Sequence, residues 1–194
     1  KSWEPLGFLG MDLREKVLGI VGMGKIGQEM ARLCREAFAM RILYTAANGE
    51  KNLAPPLENA EYSSLAHLLR ESDVISLHCP LTQKSKGMLN ADMLKLMKKD
   101  SYLINTARGE LIDTLDLVEC LERGKFLGVG LDVTNPEPLP AGHKLFGFSR
   151  VVITPHIASA THRARNQMAD LCYENILRYF AGHEILTPVT LRSL

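Results

Sequence analysis

Apolar and polar positions along this chain fall into two kinds of run that take turns. Short runs such as V-L-G-I-V at 17–21 are apolar at nearly every position, as strands buried on both faces must be. Between them lie stretches in which apolar residues recur every three or four positions, the period of a helix with one packed side. Strands are expected at 16–22, 41–45, 73–78, 101–105, 127–133 and 150–154. Helices are expected from Lys25, at 65–70 behind Ser63 or Ser64, from Asn90 through Met97, from Asp113 to a stop at Gly124, and at about 160–180. In the first helix Ile26, Met30, Leu33, Cys34 and Ala37 form the apolar stripe, and in the last Met168, Leu171, Cys172, Ile176 and Tyr179 do. Methionines and cysteines on such stripes read as core. Alternating strands and helices, with strands too apolar to face water, predict an α/β fold: a doubly wound parallel sheet covered on both sides. The segments A-P-P-L-E-N and N-P-E-P-L-P-A-G-H read as surface loops.

Composition narrows the classes of function. A chain of 194 residues, 46% hydrophobic, can bury a full core. A net charge of +1 gives no electrostatic case for nucleic acid or for an anionic membrane surface. No apolar run approaches the ~18–20 residues that span a bilayer. Cys34, Cys79, Cys120 and Cys172 are far apart, without C-x-x-C or finger spacing, and the histidines show no metal-ligand spacing. No metal site is expected, and reduced thiols point to a cytoplasmic location. The chain starts at Lys1, so a piece of a longer protein is expected.

The strand at 16–22 runs into G-M-G-K-I-G, which opens the first helix. Gly22 makes the tight turn, Gly24 lets backbone approach a pyrophosphate, and Gly27 lets helix and strand pack closely. The amides of the helix N-terminus then face the phosphates. Met23, Lys25 and Ile26 lie within the same turn. This is a dinucleotide-binding turn in its required context. The next strand ends in Tyr44-Thr45-Ala46-Ala47-Asn48, with no acid to hold the adenosine ribose 2′-hydroxyl or to repel a 2′-phosphate. Thr45, Ala47 and Asn48 border that place, and Lys51 is the one close cation in sequence. The cofactor expected is NADP or NAD, with a mild NADP preference.

Ligands of such sheets sit at the carboxyl ends of the strands. Those ends carry H-C-P-L-T, N-T-A-R-G-E, L-D-V-T-N-P-E-P-L-P and T-P-H-I-A-S. They bring Arg108, Glu137 and His156 to one rim. Reduction of a carbonyl by a nicotinamide asks for those three types: a histidine to donate the proton, a carboxylate to orient it, and an arginine to hold an anionic substrate.

Together these motifs resemble the D-isomer-specific 2-hydroxyacid dehydrogenase family, and within it the reductases of glyoxylate and hydroxypyruvate. The resemblance implies that Arg108 binds the keto acid's carboxylate and carbonyl, Glu137 pairs with His156, and His156 is the acid and base. It further implies that Asp132 contacts the nicotinamide amide and that Pro80 and Thr106 line the nicotinamide side. Cys79, Ala107 and Ala158 fall in the same motifs and complete the expected cofactor wall. The resemblance also implies a homodimer through the cofactor domain, and a substrate domain formed mostly by sequence preceding that domain. The expected division is 1–15 as inter-domain linker, 16–160 as dinucleotide-binding domain, and 161–194 as a C-terminal helix and tail. The chain by itself is then expected to turn over substrate poorly. Alternatives from another class are a cofactor-sensing, corepressor-like scaffold on the same fold, or an inactive cofactor-binding fragment.

Overall fold

The computed structural model describes residues 9–189; the start of the expected linker and the end of the expected tail lie outside the described residues. Its strands are β1 (Val17–Val21), β2 (Arg41–Thr45), β3 (Glu61–Tyr62), β4 (Val74–Leu77), β5 (Tyr102–Asn105), β6 (Gly128–Leu131) and β7 (Val151–Ile153). They pair in parallel in one seven-stranded sheet, in the order β3-β2-β1-β4-β5-β6-β7. This is a doubly wound, Rossmann-like sheet. Its order reverses at β1, which pairs with β2 on one side and β4 on the other, and a crevice opens at such a switch point.

The helices are α1 (Lys25–Phe38), α2 (Leu65–Glu71), α3 (Ala91–Leu96), α4 (Thr114–Glu122) and α5 (His162–Phe180). Side-chain caps set several starts. The Ser64 hydroxyl accepts from His67 N–H, Asn90 from the amides of Asp92 and Met93, and Asp113 from those of Leu115 and Asp116. Each satisfies amides that lack a helical partner, worth about 1 kcal/mol apiece. Buried apolar residues form two clusters. Leu18, Ile20, Ala31, Ile42 and Tyr44 belong to one, and Leu43, Leu68, Ile75, Leu103, Leu117 and Val129 to the other. The two-residue period of a strand separates neighbours such as Ile42 and Leu43 between them.

At the amino end of the sheet, Asp73 ties strands together. Its carboxylate accepts from the Val17 amide at 2.9 Å and from Lys98 Nζ at 2.8 Å. Burial pushes this carboxyl up, but the bonds from Lys98 and Val17 outweigh it and hold the group below its ordinary value of 3.8.

Two expectations fail, and one strand was not foreseen. The buried stripe of α1 is Gly27, Ala31 and Cys34, whereas Ile26 is 72% exposed and Leu33 49%. Close packing begins at Gly27, where an added Cβ would lie 2.2 Å from the Gly22 carbonyl oxygen, so the small residues face the sheet and the larger ones turn out. Strand β3 is two exposed residues, too short to leave a period in the sequence. Helix α5 buries none of its residues, and Met168, Leu171, Ile176 and Tyr179 are exposed, as is Cys172. A stripe reports which residues share a face, not whether that face is covered.

The division between two compact units falls after His156. In the second unit, Thr161 caps α5 by accepting from Ala164 N–H. The chain after α5 folds back on it: Asn175 Oδ1 accepts from Leu186 N–H at 2.7 Å, and Asn175 Nδ2 donates to Thr187 Oγ1 at 2.8 Å.

Candidate active site

One half of the rim is made of backbone. Gly22 has φ +104°, a value side chains resist, and its N–H donates to the Thr45 carbonyl at 2.9 Å. An added Cβ there would meet the Cys79 amide at 2.6 Å, so the turn rests directly on the end of β4. A Cβ on Gly24 would meet nothing, because that side of the turn faces open space. Gly24 starts α1 without a side-chain cap and with no acid in the first turn. The amides ahead of the first helical bond, Gln28 N–H to Gly24 C=O, have no helical carbonyl to bond and carry the positive end of the helix dipole.

Beside this turn lies a cavity of about 580 Å³ lined by Gly22, Thr45, Ala46, Ala47, Leu65, Cys79, Pro80, the 82–85 loop and Met88. Its wall is largely apolar and burial pushes the Cys79 thiol up. The shape and donor set fit the adenosine half of a dinucleotide, with the pyrophosphate on the α1 amides.

The other half of the rim is made of side chains held on a buried polar frame. Asn105 ends β5 at 1% exposure. Its carboxamide donates to the Arg108 carbonyl at 2.8 Å and accepts from Ala107 N–H at 3.0 Å, templating the turn that presents Arg108. Its own carbonyl accepts from Asp132 N–H at 2.9 Å. Asp132, 5% exposed, accepts at Oδ1 from Thr154 Oγ1 at 2.6 Å and at its main-chain carbonyl from His156 N–H at 2.8 Å.

His156 sits at φ +54°, in the left-handed region, with its backbone amide tied down in this way. Its Nδ1 lies 2.7 Å from Glu137 Oε1, and Glu137 Oε2 accepts from Thr134 N–H at 3.1 Å. The hydrogen bond from His156, and next the Thr134 amide, hold the Glu137 carboxyl below its ordinary value of 4.5. A charged carboxylate on Nδ1–H fixes the ring and leaves Nε2 for chemistry. A second cavity, about 450 Å³, is lined by Asp132, Thr134, Glu137, Leu139, Phe146, Thr154 and His156.

The structure thus brings Glu137 and His156 into contact and Asp132 into the same cavity. Gly22, Thr45, Ala47, Cys79 and Pro80 share the first cavity. Thr106, Ala107 and Arg108 follow β5, next to β6, and line neither. Met23 is buried, so only its backbone can serve a ligand, while Lys25 and Ile26 are exposed on the first turn of α1. Asn48 lies outside the first cavity, as does Lys51, whose amide donates to the Tyr44 hydroxyl at 2.8 Å. Ala158 belongs to the second unit.

Sequence reasoning passed over the frame itself. Asn105 sits inside the quoted N-T-A-R-G-E, and Gly109 follows Arg108, yet neither stood out as a site residue. An added Cβ on Gly109 would lie 2.0 Å from the Thr134 carbonyl oxygen, so this glycine sets how closely the Arg108 and Glu137 loops approach. Thr154 could have been found from its place two residues before His156. The 82–85 loop carried no signal beyond its distance from β4.

A glycine-turn cavity and a carboxylate–histidine pair on one rim define a domain of the dinucleotide-binding class. The chain belongs to the D-isomer specific 2-hydroxyacid dehydrogenase family, whose NAD binding domain matches residues 1–158. A glyoxylate reductase of Aeropyrum pernix is 44% identical over 181 residues, 93% of this chain and 53% of that protein. The human glyoxylate reductase/hydroxypyruvate reductase is 39% identical over 190 residues, 98% of this chain and 58% of the relative. A crystal structure of a Thermus thermophilus protein superposes with a TM-score of 0.89 at 48% identity, covering 98% of this chain and 58% of the other. The chain spans about half the length of the curated relatives it matches.

Proposed function

We propose that this chain is the cofactor-binding part of an NAD(P)-dependent reductase of small 2-keto acids, glyoxylate or hydroxypyruvate, working with a mild preference for NADPH. The observation that carries the reading is the 2.7 Å contact of Glu137 with His156 Nδ1 at the strand ends, on the same rim as the glycine turn. When bound, the nicotinamide supplies the hydride. Protonated His156 gives the Nε2 proton to the substrate's carbonyl oxygen as that oxygen becomes the alkoxide, and in the reverse direction takes it back. Glu137 holds the ring through Nδ1–H and balances its charge. Arg108, extended after Asn105, offers its guanidinium fork to the substrate carboxylate, a pairing that favours a 2-oxo acid over an uncharged carbonyl compound. Gly22, Gly24 and the first amides of α1 hold the pyrophosphate, and Asp132 the carboxamide of the nicotinamide ring.

The reading includes a homodimer through the cofactor domain, which the exposed Ile26 and Leu33 of α1 support. It also includes a cytoplasmic setting, in keeping with four unpaired cysteines.

The test is NADPH-dependent reduction of glyoxylate and hydroxypyruvate by the full protein and by His156→Asn. Asparagine also tolerates φ above zero, so the backbone stays in place. A fall of roughly 10³-fold in kcat with cofactor affinity kept is expected. Reduction within a few-fold of wild type in the variant overturns the reading.

A further inference from the structure

The cavity beside the glycine turn has an uncharged side and a charged one. Its β2 side is Thr45, Ala46 and Ala47, with neither the acid that would reject a 2′-phosphate nor an arginine that would bind one. Lys51 lies outside that wall. Beyond the glycine turn and the apolar Leu65, Pro80 and Met88, the wall includes the loop after β4, Thr82, Gln83, Lys84 and Ser85, and among the described residues Lys84 is the one charged side chain lining the cavity.

Lys84 starts from a well-anchored base. Ser85 Oγ donates to the Pro80 carbonyl at 2.8 Å and accepts from Thr82 N–H at 2.8 Å, and Lys86 N–H donates to the Thr82 carbonyl at 3.0 Å. Lys84 itself is exposed and, among the described residues, forms no ion pair with an acid. A lone ammonium in the wall of a cavity without carboxylates is an anion receptor. The anion that distinguishes NADPH from NADH is the adenosine 2′-phosphate, with a charge of about −1.5 to −2 at neutral pH.

We propose that Lys84, reaching in from the loop after β4, receives the 2′-phosphate of NADPH opposite Thr45 and sets the cofactor preference of this domain. The proposal rests on the reading that this cavity holds the adenosine end of a nicotinamide dinucleotide. Lysine suits that role, because a point charge on a flexible stem follows a phosphate without demanding bidentate geometry. The contact is solvent-exposed, so the preference it confers is modest and weakens with salt.

The experiment is a fluorescence titration of the full chain with NADPH and with NADH, for wild type, Lys84→Ala, Lys84→Arg and Lys86→Ala. Wild type is expected to bind NADPH the tighter. Lys84→Ala is expected to lose roughly 3- to 10-fold in NADPH affinity, with NADH affinity held within about twofold. Lys84→Arg should restore most of the loss, and Lys86→Ala, outside the cavity, should match wild type. The retained NADH affinity also shows that the variant is folded. If Lys84→Ala leaves the NADPH-to-NADH ratio unchanged, the assignment of Lys84 is overturned while the cofactor reading stands. If wild type binds neither dinucleotide, the cofactor reading falls, and the proposal with it.

Discussion

On the β1 side of the rim, Gly22 and Gly27 act by what they lack; on the β6 side, Glu137 and His156 act by what they carry. The glycine half is a shape cut into backbone, where a Cβ at Gly22 would run into the end of β4 and one at Gly27 into Gly22. The other half is a carboxylate–histidine pair whose members are both more than a third exposed, steadied by the buried Asn105 and Asp132 behind them. The first tolerates many chemistries of neighbour and no added volume. The second tolerates modest changes of packing and no change of charge. A substitution therefore says which half it touches by the kind of damage it does.

The largest damage is expected where both kinds of constraint meet in one residue. Gly109→Ala pushes a Cβ to within 2.0 Å of the Thr134 carbonyl oxygen, where the atoms it meets are all backbone, with no flexible side chain to yield. Urea unfolding should show a loss of about 3 kcal/mol. Because the Arg108 and Glu137 loops separate, keto-acid reduction should fall in addition. A stability equal to wild type would mean that the two loops can part freely.

Glu137→Gln comes next and should look quite different. It keeps the size and removes the charge, so unfolding stays near wild type while kcat falls roughly 10²-fold. The hydrogen bond from His156 keeps the wild-type carboxyl ionised below its ordinary 4.5, so the pair should survive mild acid. A kcat within a few-fold of wild type at neutral pH would contradict the assignment.

Asp73→Asn serves as the control, since it touches neither half of the rim. It weakens two hydrogen bonds at the amino end of the sheet, both charge-assisted and one an ion pair, and should cost about 1–2 kcal/mol at pH 7. The folded carboxyl titrates below 3.8, so its contribution is complete above that value and disappears as pH falls through the folded pKa. The gap between variant and wild type should close at low pH. A gap that persists there would assign the cost to packing.

The smallest expected effect is on cofactor choice. Thr45→Asp places a carboxylate at the end of β2, where it accepts from a ribose 2′-hydroxyl and repels a 2′-phosphate. A shift of about 5- to 10-fold toward NADH is expected in the same titration. No shift would remove Thr45 from the adenosine site.

Most of the sheet was legible because a strand covered on both faces writes its burial into every position: V-L-G-I-V could be little else. The glycine turn was legible because three glycines at fixed spacing after such a strand answer to three separate steric demands. The Glu137–His156 contact could be expected from their places on neighbouring strand ends. Other features left weaker marks. The stripe of α1 was placed on the wrong side because large apolar residues dominate any periodicity count, while the packed face is the small one. Nothing in α5 distinguishes a stripe that is covered from one that is bare. Lys84 belongs to a cavity whose β2 wall is some forty residues away in sequence, a proximity created only by β1 lying between β2 and β4. Asn105 was hidden in plain view, since a buried carboxamide that folds a loop is spelled no differently from an exposed one.

Two cysteines of unequal exposure amount to a built-in clock. Cys172 is exposed on α5, whereas Cys79 lines the cavity beside the glycine turn, where burial pushes its thiol up. An alkylating agent needs the thiolate, so it should mark Cys172 early and Cys79 late. Filling the cavity should slow the second mark and leave the first unchanged. The labelled fraction at Cys79 relative to Cys172, read by peptide mass, then reports occupancy without any optical probe and without turnover.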